Sequence, residues 1–133
     1  MIDINDSKSL TKASRDKIEA QKKLHSVLFM EELESLIKSE APEWEIAIDN
    51  EIKRRAEEGC SDASVHEFYD MHPAKIEDIF DRHKPMGIKR SEVMGIVRGL
   101  EVKHIISKYM DAGYRALREA QFVKFEWTTG EDD

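Results

Sequence analysis

The sequence predicts an all-α single domain, and three observations carry that expectation. Long segments without Gly or Pro repeat apolar residues at intervals of three and four, the period of one helix face. The Gly and Pro residues that do occur fall at the ends of those segments, where they cap or open helices. The chain is 133 residues long with 37% charged and 40% hydrophobic residues and a net charge of −7. That length suits one domain, and the charge implies a salt-laced surface over one modest core. The expected architecture is about five helices over residues 1–133: long at the N-terminus, short in the centre and long again before a short β-like C-terminal tail.

Residues 1–8 are polar and aperiodic, and they are expected to fray. Ser9 to Ser39 contains no Gly or Pro. Leu24, Val27, Leu28, Leu33, Leu36 and Ile37 form a stripe that Ile18 extends; before it the pattern thins to Leu10 and Ala13. This predicts a first helix of up to thirty residues, firmly anchored in its second half, with 1–16 projecting or frayed. A helix of that length exceeds the needs of a compact five-helix domain, which points to projection or to antiparallel pairing with another copy.

Pro42 is expected to end that helix and to open the next, where its missing N–H is not needed. Glu43 and Glu45 suit a first turn electrostatically. Trp44, Ile48 and Ile52 mark the buried face, and Gly59 is a good C-terminal cap. The second helix is therefore placed at Pro42–Glu58. Ser64 and Glu67 have capping-box spacing before Val65, Phe68, Tyr69 and Met71, predicting a short helix that stops before Pro73. Pro73 opens another helix with Ile76, Ile79 and Phe80, broken at Lys84-Pro85-Met86-Gly87.

A last long helix is expected from Ser91 to Gln121, carrying Val93, Ile96, Val97, Leu100, Ile105, Ile106, Tyr109, Met110, Tyr114 and Leu117. Gly95, Gly99 and Gly113 inside it cost about 1 kcal/mol each relative to Ala. Either the helix breaks near Gly113, or the glycines admit a neighbouring backbone. The one-turn spacing of Gly95 and Gly99 favours close approach. From Val123 to Trp127 apolar and polar residues alternate, as in a strand. Its partner would be another chain or the alternating segment at residues 1–5.

Composition excludes several classes. No apolar run approaches the roughly 18 residues of a membrane span. The opening MIDINDSKSL lacks a basic-then-apolar leader. One cysteine, Cys60, forms no intramolecular disulfide, and a reducing, cytoplasmic setting is expected.

Charge is segregated. Residues 1–81 hold 11 Lys/Arg against 20 Asp/Glu, residues 82–118 hold 9 against 3, and residues 119–133 hold 1 against 5. A basic block between acidic ones has two readings: it pairs with the acidic helices of its own chain, or it faces phosphates or an acidic partner.

Two segments resemble a helix-turn-helix. The first contains Val65, Tyr69, Met71, Ile76 and Ile79, with Asp70 where Gly is usual and His66 where a small residue is usual. The second, residues 86–98, contains Met86, Gly87, Ile88, Val93 and Ile96, and Gly87-Ile88 is the better turn. The stretch from Gly87 to Val93 also resembles the second-helix opening of ribbon-helix-helix repressors, without their upstream pairing strand. Such a resemblance implies that Lys89, Arg90, Arg98 and Lys103 contact nucleic acid, with Lys89 and Arg90 at the recognition-helix N-terminus.

Other chemistry is thinly signalled. His66 and His72 are six apart, whereas a zincin helix needs two His at i, i+4. His66 and Asp70 share a face that Cys60, Asp62 and His83 could join, but no metal site or cofactor is expected. Cys60 has no flanking signature of a nucleophile, and no phosphate-cradling Gly-rich loop occurs. Glu31, Glu32, Glu34 and the Glu40–Glu51 run read as solvated helix faces or, alternatively, as phosphate mimics that would inhibit a nucleic-acid-binding protein. Phe122, Phe125 and Trp127 crowd the tail beside an acidic end, as interface anchors do. They are the expected partner-binding residues, docking on the core, on a second subunit or on another protein, and removal of the tail is expected to leave the fold intact.

The functional expectation is a non-enzymatic regulator, adaptor or inhibitor that binds a protein partner, with homo-oligomerisation through the first helix or the tail. The alternatives are a DNA-binding regulator and a phosphate-mimicking inhibitor.

Overall fold

The computed structural model describes residues 1–129; the last four residues of the expected 122–133 tail lie outside them. The order of elements is α1 (Ile4–Glu57), β1 (Asp62–His66), α2 (Phe68–Met71), α3 (Pro73–His83), α4 (Arg90–Glu101), a π-helical turn (Val102–Ile106), α5 (Ser107–Asp111), β2 (Arg115–Glu119) and β3 (Phe122–Glu126). Helix α4 runs through the π-turn into α5 without a break. The described residues thus hold four continuous helices, not five, together with a three-stranded antiparallel sheet of order β1-β3-β2.

The first correction concerns Pro42. It lies inside α1, which is one helix of 54 residues, about 80 Å long at 1.5 Å per residue. An interior proline costs about 3 kcal/mol or more. Here it is exposed, while Phe29, Leu33, Ile37, Ala41, Trp44 and Ile48 form an unbroken buried stripe across it. Burying large side chains contributes about 1.5–3 kcal/mol each, so the stripe outweighs the proline. The stripe also begins later than expected: Leu24, Val27 and Leu28 are exposed, and Phe29 is the first anchor.

The second correction concerns residues 62–66, expected to start a helix. Ser64 lies in β1, and Glu67 is the N-cap residue of α2 with no side-chain capping bond. Ala63 is buried between the exposed or half-buried Asp62 and Ser64, an alternation that capping-box spacing concealed. Strand β1 pairs with β3 in register from Asp62↔Glu126 to His66↔Phe122.

The third correction concerns the end of the last helix. It stops at Asp111 rather than Gln121. Gly113 has φ 107, its N–H donates to Met110 O (3.1 Å), and Tyr114 N–H donates to Tyr109 O (3.0 Å). This pair of bonds is a Schellman cap, which needs a left-handed residue and so favours glycine. The expected break at Gly113 is therefore the arrangement found. Close approach is not the role of the other two glycines: a Cβ on Gly95 or Gly99 would meet nothing within 4 Å.

The freed segment Arg115–Glu119 forms β2 and pairs with β3 from Arg115↔Glu126 to Glu119↔Phe122. A two-residue turn joins them, with Ala120 at φ 53. Strand β3 therefore finds both partners within its own chain, and neither is residues 1–5, which are partly in α1.

The inner face of the sheet presents Val123 and Phe125 to the core, where Tyr109 meets Phe125 at 5.1 Å between ring centroids. Trp44 crosses Phe68 edge to face at 6.4 Å, and its Nε1–H donates to His66 O (3.0 Å). Arg55 Nε donates to Asp62 O (3.2 Å). Helix α1 thus satisfies carbonyls along the outer edge of β1. The body of the molecule is α1 from Phe29 onward, α3, α4–α5 and the sheet. From Ile4 to Gln21 every residue of α1 is exposed. The described surface is 8948 Å², against roughly 7,000 Å² for a compact chain of this mass.

Candidate functional site

Three places were candidates from sequence: the basic block, the aromatic tail and the first helix. The block comes first because its chemistry is the most specific. Arg90, at the start of α4, donates to Glu77 Oε1 (3.0 Å) and Asp81 Oδ1 (2.8 Å), and its guanidinium also lies 5.0 Å from the Phe80 ring centroid. Arg98 Nε donates to Glu67 Oε2 (2.9 Å). Lys103 Nζ donates to Glu34 Oε1 (3.0 Å). Of the four residues expected to contact nucleic acid, only Lys89 forms no ion pair among the described residues.

Most of the remaining cations of the block behave alike, Lys84 and Arg115 being without an ion pair among the described residues. Arg82 and His83 both bond to Glu32, His104 bonds to Glu34 (2.7 Å), and Lys108 bonds to Glu45 (2.8 Å). Lys75 of α3 bonds to Glu40 (3.1 Å). The regularly spaced α1 carboxylates and the basic block thus meet each other. Hydrogen bonds from these cations hold the Glu32, Glu34 and Glu40 carboxyls below the usual carboxylate range.

A second constellation was not visible in the sequence. Glu67 and Glu101 are both fully buried. Arg118 bridges them, donating through Nη1 to Glu67 Oε2 (2.7 Å) and through Nη2 to Glu101 Oε2 (2.8 Å). Glu101 Oε1 accepts from the Phe68 backbone N–H (3.0 Å), and Arg98 completes the group. Burial pushes the Glu101 carboxyl up, while Arg118 opposes that shift. The π-turn begins at the residue after Glu101, and π-turns within helices often mark special positions. Here the segment seats Glu101, Ile105 and Ile106 together in the interior.

This group has the ingredients of acid–base chemistry without access for a substrate. Both carboxylates are closed to solvent and occupied by guanidinium or amide donors. It works as a staple joining α2, α4 and β2. Only tertiary structure could disclose it, because its members are up to 51 residues apart and nothing local separates Glu67 or Glu101 from the chain's many other carboxylates.

The aromatic tail has been drawn into the body. Phe125 is fully buried in the core and is not available to a partner. Trp127 is half-buried, packs edge to face on Tyr114 at 6.0 Å, and its backbone N–H donates to Ser61 O (3.0 Å). Phe122 is 39% exposed and lies against His66 with ring centroids 4.7 Å apart. Because β3 is the central strand, cutting the chain before Phe122 would remove the sheet, not a dispensable tail.

The residues weighed for a metal are dispersed: His66 faces Phe122, His83 bonds to Glu32, and Asp62 holds Arg55. Among the described residues no group of three or more His, Cys, Asp or Glu side chains is placed to hold a metal ion. Nor is any helix among them long and apolar enough to cross a membrane.

That leaves α1. Its contacts with the body begin around His25 and Ser26, which bond to the backbone carbonyls of His83 and Met86. On an ideal helix, Leu10, Ile18, Leu24 and Leu28 fall within about a third of the circumference. Leu10, Leu24 and Leu28 lie on a side rotated away from the Phe29–Ile48 stripe, and Ile18 lies at its margin beside Phe29. All four are exposed, at 61%, 48%, 57% and 40%. No protein-family model, curated protein or solved structure matches this chain.

Proposed function

We propose that this protein is a non-enzymatic regulator or adaptor, and that the projecting half of α1 is the element with which it engages a protein partner. The observation that carries the reading is the set of exposed apolar residues Leu10, Ile18, Leu24 and Leu28, of which Leu10, Leu24 and Leu28 face away from the chain's own core. An amphipathic helix that lays such a stripe into a groove or against another helix is a recurring mode of recognition. The ion pairing of Arg90, Arg98 and Lys103 favours this reading over duplex binding, since cations already neutralised release few counterions from DNA.

The test is co-purification from native extract with the full chain as bait, compared with Leu10→Glu/Ile18→Glu/Leu24→Glu. The expected result is a stoichiometric partner retained by the wild type and lost by the triple variant at unchanged melting temperature. Retention of the same partner by the triple variant would overturn the assignment to the arm. Duplex DNA binding that weakens steeply from about 50 to 200 mM salt would return the basic block to first place.

A further inference from the structure

The two edges of the sheet are treated differently. The β1 edge is covered by α1, whose Trp44 and Arg55 donate to the His66 and Asp62 carbonyls. Among the described residues nothing hydrogen-bonds to the β2 edge. Its five residues pair with β3 in continuous register with no bulge, Pro or Gly. Natural proteins usually protect such an edge, because its unpaired N–H and C=O groups are a template for another strand.

We propose that the β2 edge is the site of homodimerisation, in which β2 pairs antiparallel with β2 of a second copy about a two-fold axis at Leu117. The occupant is identified by self-complementarity. In Arg115-Ala116-Leu117-Arg118-Glu119, antiparallel pairing centred on Leu117 sets Arg115 of each copy opposite Glu119 of the other, giving two unlike-charge pairs. Arg115 forms no ion pair among the described residues, and Glu119 has only a 3.8 Å approach from Lys124.

The backbone has the parity this symmetry needs. A two-residue turn makes Glu119 and Phe122 a hydrogen-bonded pair, and alternation then makes Leu117 and Lys124 another. The N–H and C=O groups of Ala116 and Arg118 therefore point to the open edge. Centred on Leu117, Ala116 of one copy meets Arg118 of the other on both sides of the axis, and all of these groups are satisfied.

The surroundings fit the same occupant. Beneath β2 lies an open groove of about 260 Å³ that includes Val102, Ile106, Met110 and Ala116. Val102 is 45% and Met110 52% exposed at its rim. Pairing of the strands joins the grooves of the two copies and covers both side chains. The dimer presents two α1 arms, whichever partner those arms engage.

The register gives a sharp test in full-length protein with Cys60→Ser. At the two-fold position the two Leu117 residues form a non-hydrogen-bonded pair with Cα atoms about 4.5 Å apart, within disulfide range. Leu117→Cys is expected to form a covalent dimer on mild oxidation. Glu119→Cys alone is expected to form no covalent dimer, because two such positions lie roughly 13 Å apart at about 3.3 Å per residue.

Sedimentation equilibrium on the wild type should show a monomer–dimer equilibrium. Ala116→Pro, which removes an edge N–H that β3 does not use, should weaken it at least tenfold while circular dichroism stays native. A wild type that stays monomeric at all accessible concentrations would overturn the proposal. So would equal cross-linking at residues 117 and 119, or a dimer indifferent to Ala116→Pro. Loss of dimerisation in the Leu10/Ile18/Leu24 variant, with Ala116→Pro still dimeric, would place self-association on the arm instead.

Discussion

The two halves of α1 share one continuous backbone and have opposite environments. From Phe29 onward the helix supplies the largest side chains of the core and a row of carboxylates that meets Lys75, Arg82, Lys103 and Lys108. Before Gln21 every residue of it is exposed. Intrinsic propensity separates the halves only modestly: residues 4–28 hold five Lys and three Leu, residues 29–57 hold eight Glu, and all of these favour helix. Tertiary packing separates them: a buried stripe holds the second half even across a proline, whereas the first relies on its continuity with the second. Most helical stability in proteins comes from packing of a face rather than from propensity, so the arm is ordered by its attachment.

The largest effect that sharpens this contrast is at Trp44. Replacing it with Ala removes a fully buried ring and the donor to His66 O, and should cost about 3–5 kcal/mol in urea unfolding. A loss below about 1 kcal/mol would mean that α1 is not the principal core element.

Acid should loosen the same half next. The Glu32, Glu34 and Glu40 carboxyls are held below their ordinary value of 4.5 by their cation partners. The native state thus binds fewer protons than the unfolded state. This contribution is fully present above about pH 4.5 and fades as pH falls through the lowered native values. Glu101 acts oppositely: its raised carboxyl makes the buried charge unfavourable at neutral pH, and that penalty fades as pH falls through the raised value. Glu101→Gln should remove this relief, so its denaturation midpoint should drop more steeply on mild acidification than that of the wild type. Parallel curves would contradict the opposing signs.

A smaller effect, in the other direction, is expected on α4. Gly95 and Gly99 are exposed helix-interior positions with open space around them. Each change to Ala should stabilise the body by about 0.5–1 kcal/mol, measured as a rise in urea midpoint. A loss of stability would show that something approaches α4 there after all.

The smallest effect belongs to the arm. Ile18→Ala should alter global stability by no more than about 0.5 kcal/mol, and amides from Ser7 to Gln21 should exchange far faster than those from Leu33 to Ile48. Equal protection in both halves would show that the arm is covered in solution.

Local chemistry made much of the body legible. Residue spacing announced Leu33, Ile37, Trp44 and Ile48 as anchors, though in two helices rather than one, and the opening of α3 at Pro73, and it offered a break at Gly113 as one of two readings. It misled where two local rules pointed the same wrong way. Ser64 and Glu67 have the spacing of a helix cap, yet Ala63, Val65 and the waiting edge of β3 make the segment a strand. The tail's alternation was read correctly in Val123–Trp127, but the hairpin partner Arg115–Glu119 was hidden inside an apparent helix because Leu117 continues its periodicity.

The sequence by itself determined the dominance of helix, the segregation of charge and most of the core, because periodicity and capping act through near neighbours. Tertiary structure decided that Pro42 stays within α1, that Phe125 is core rather than contact surface, and that most of the basic block pairs with the chain's own carboxylates. It alone decided the Glu67–Arg118–Glu101 staple and the open edge at β2. These depend on residues distant in the chain, whose energies exist only once folding has removed the water between them.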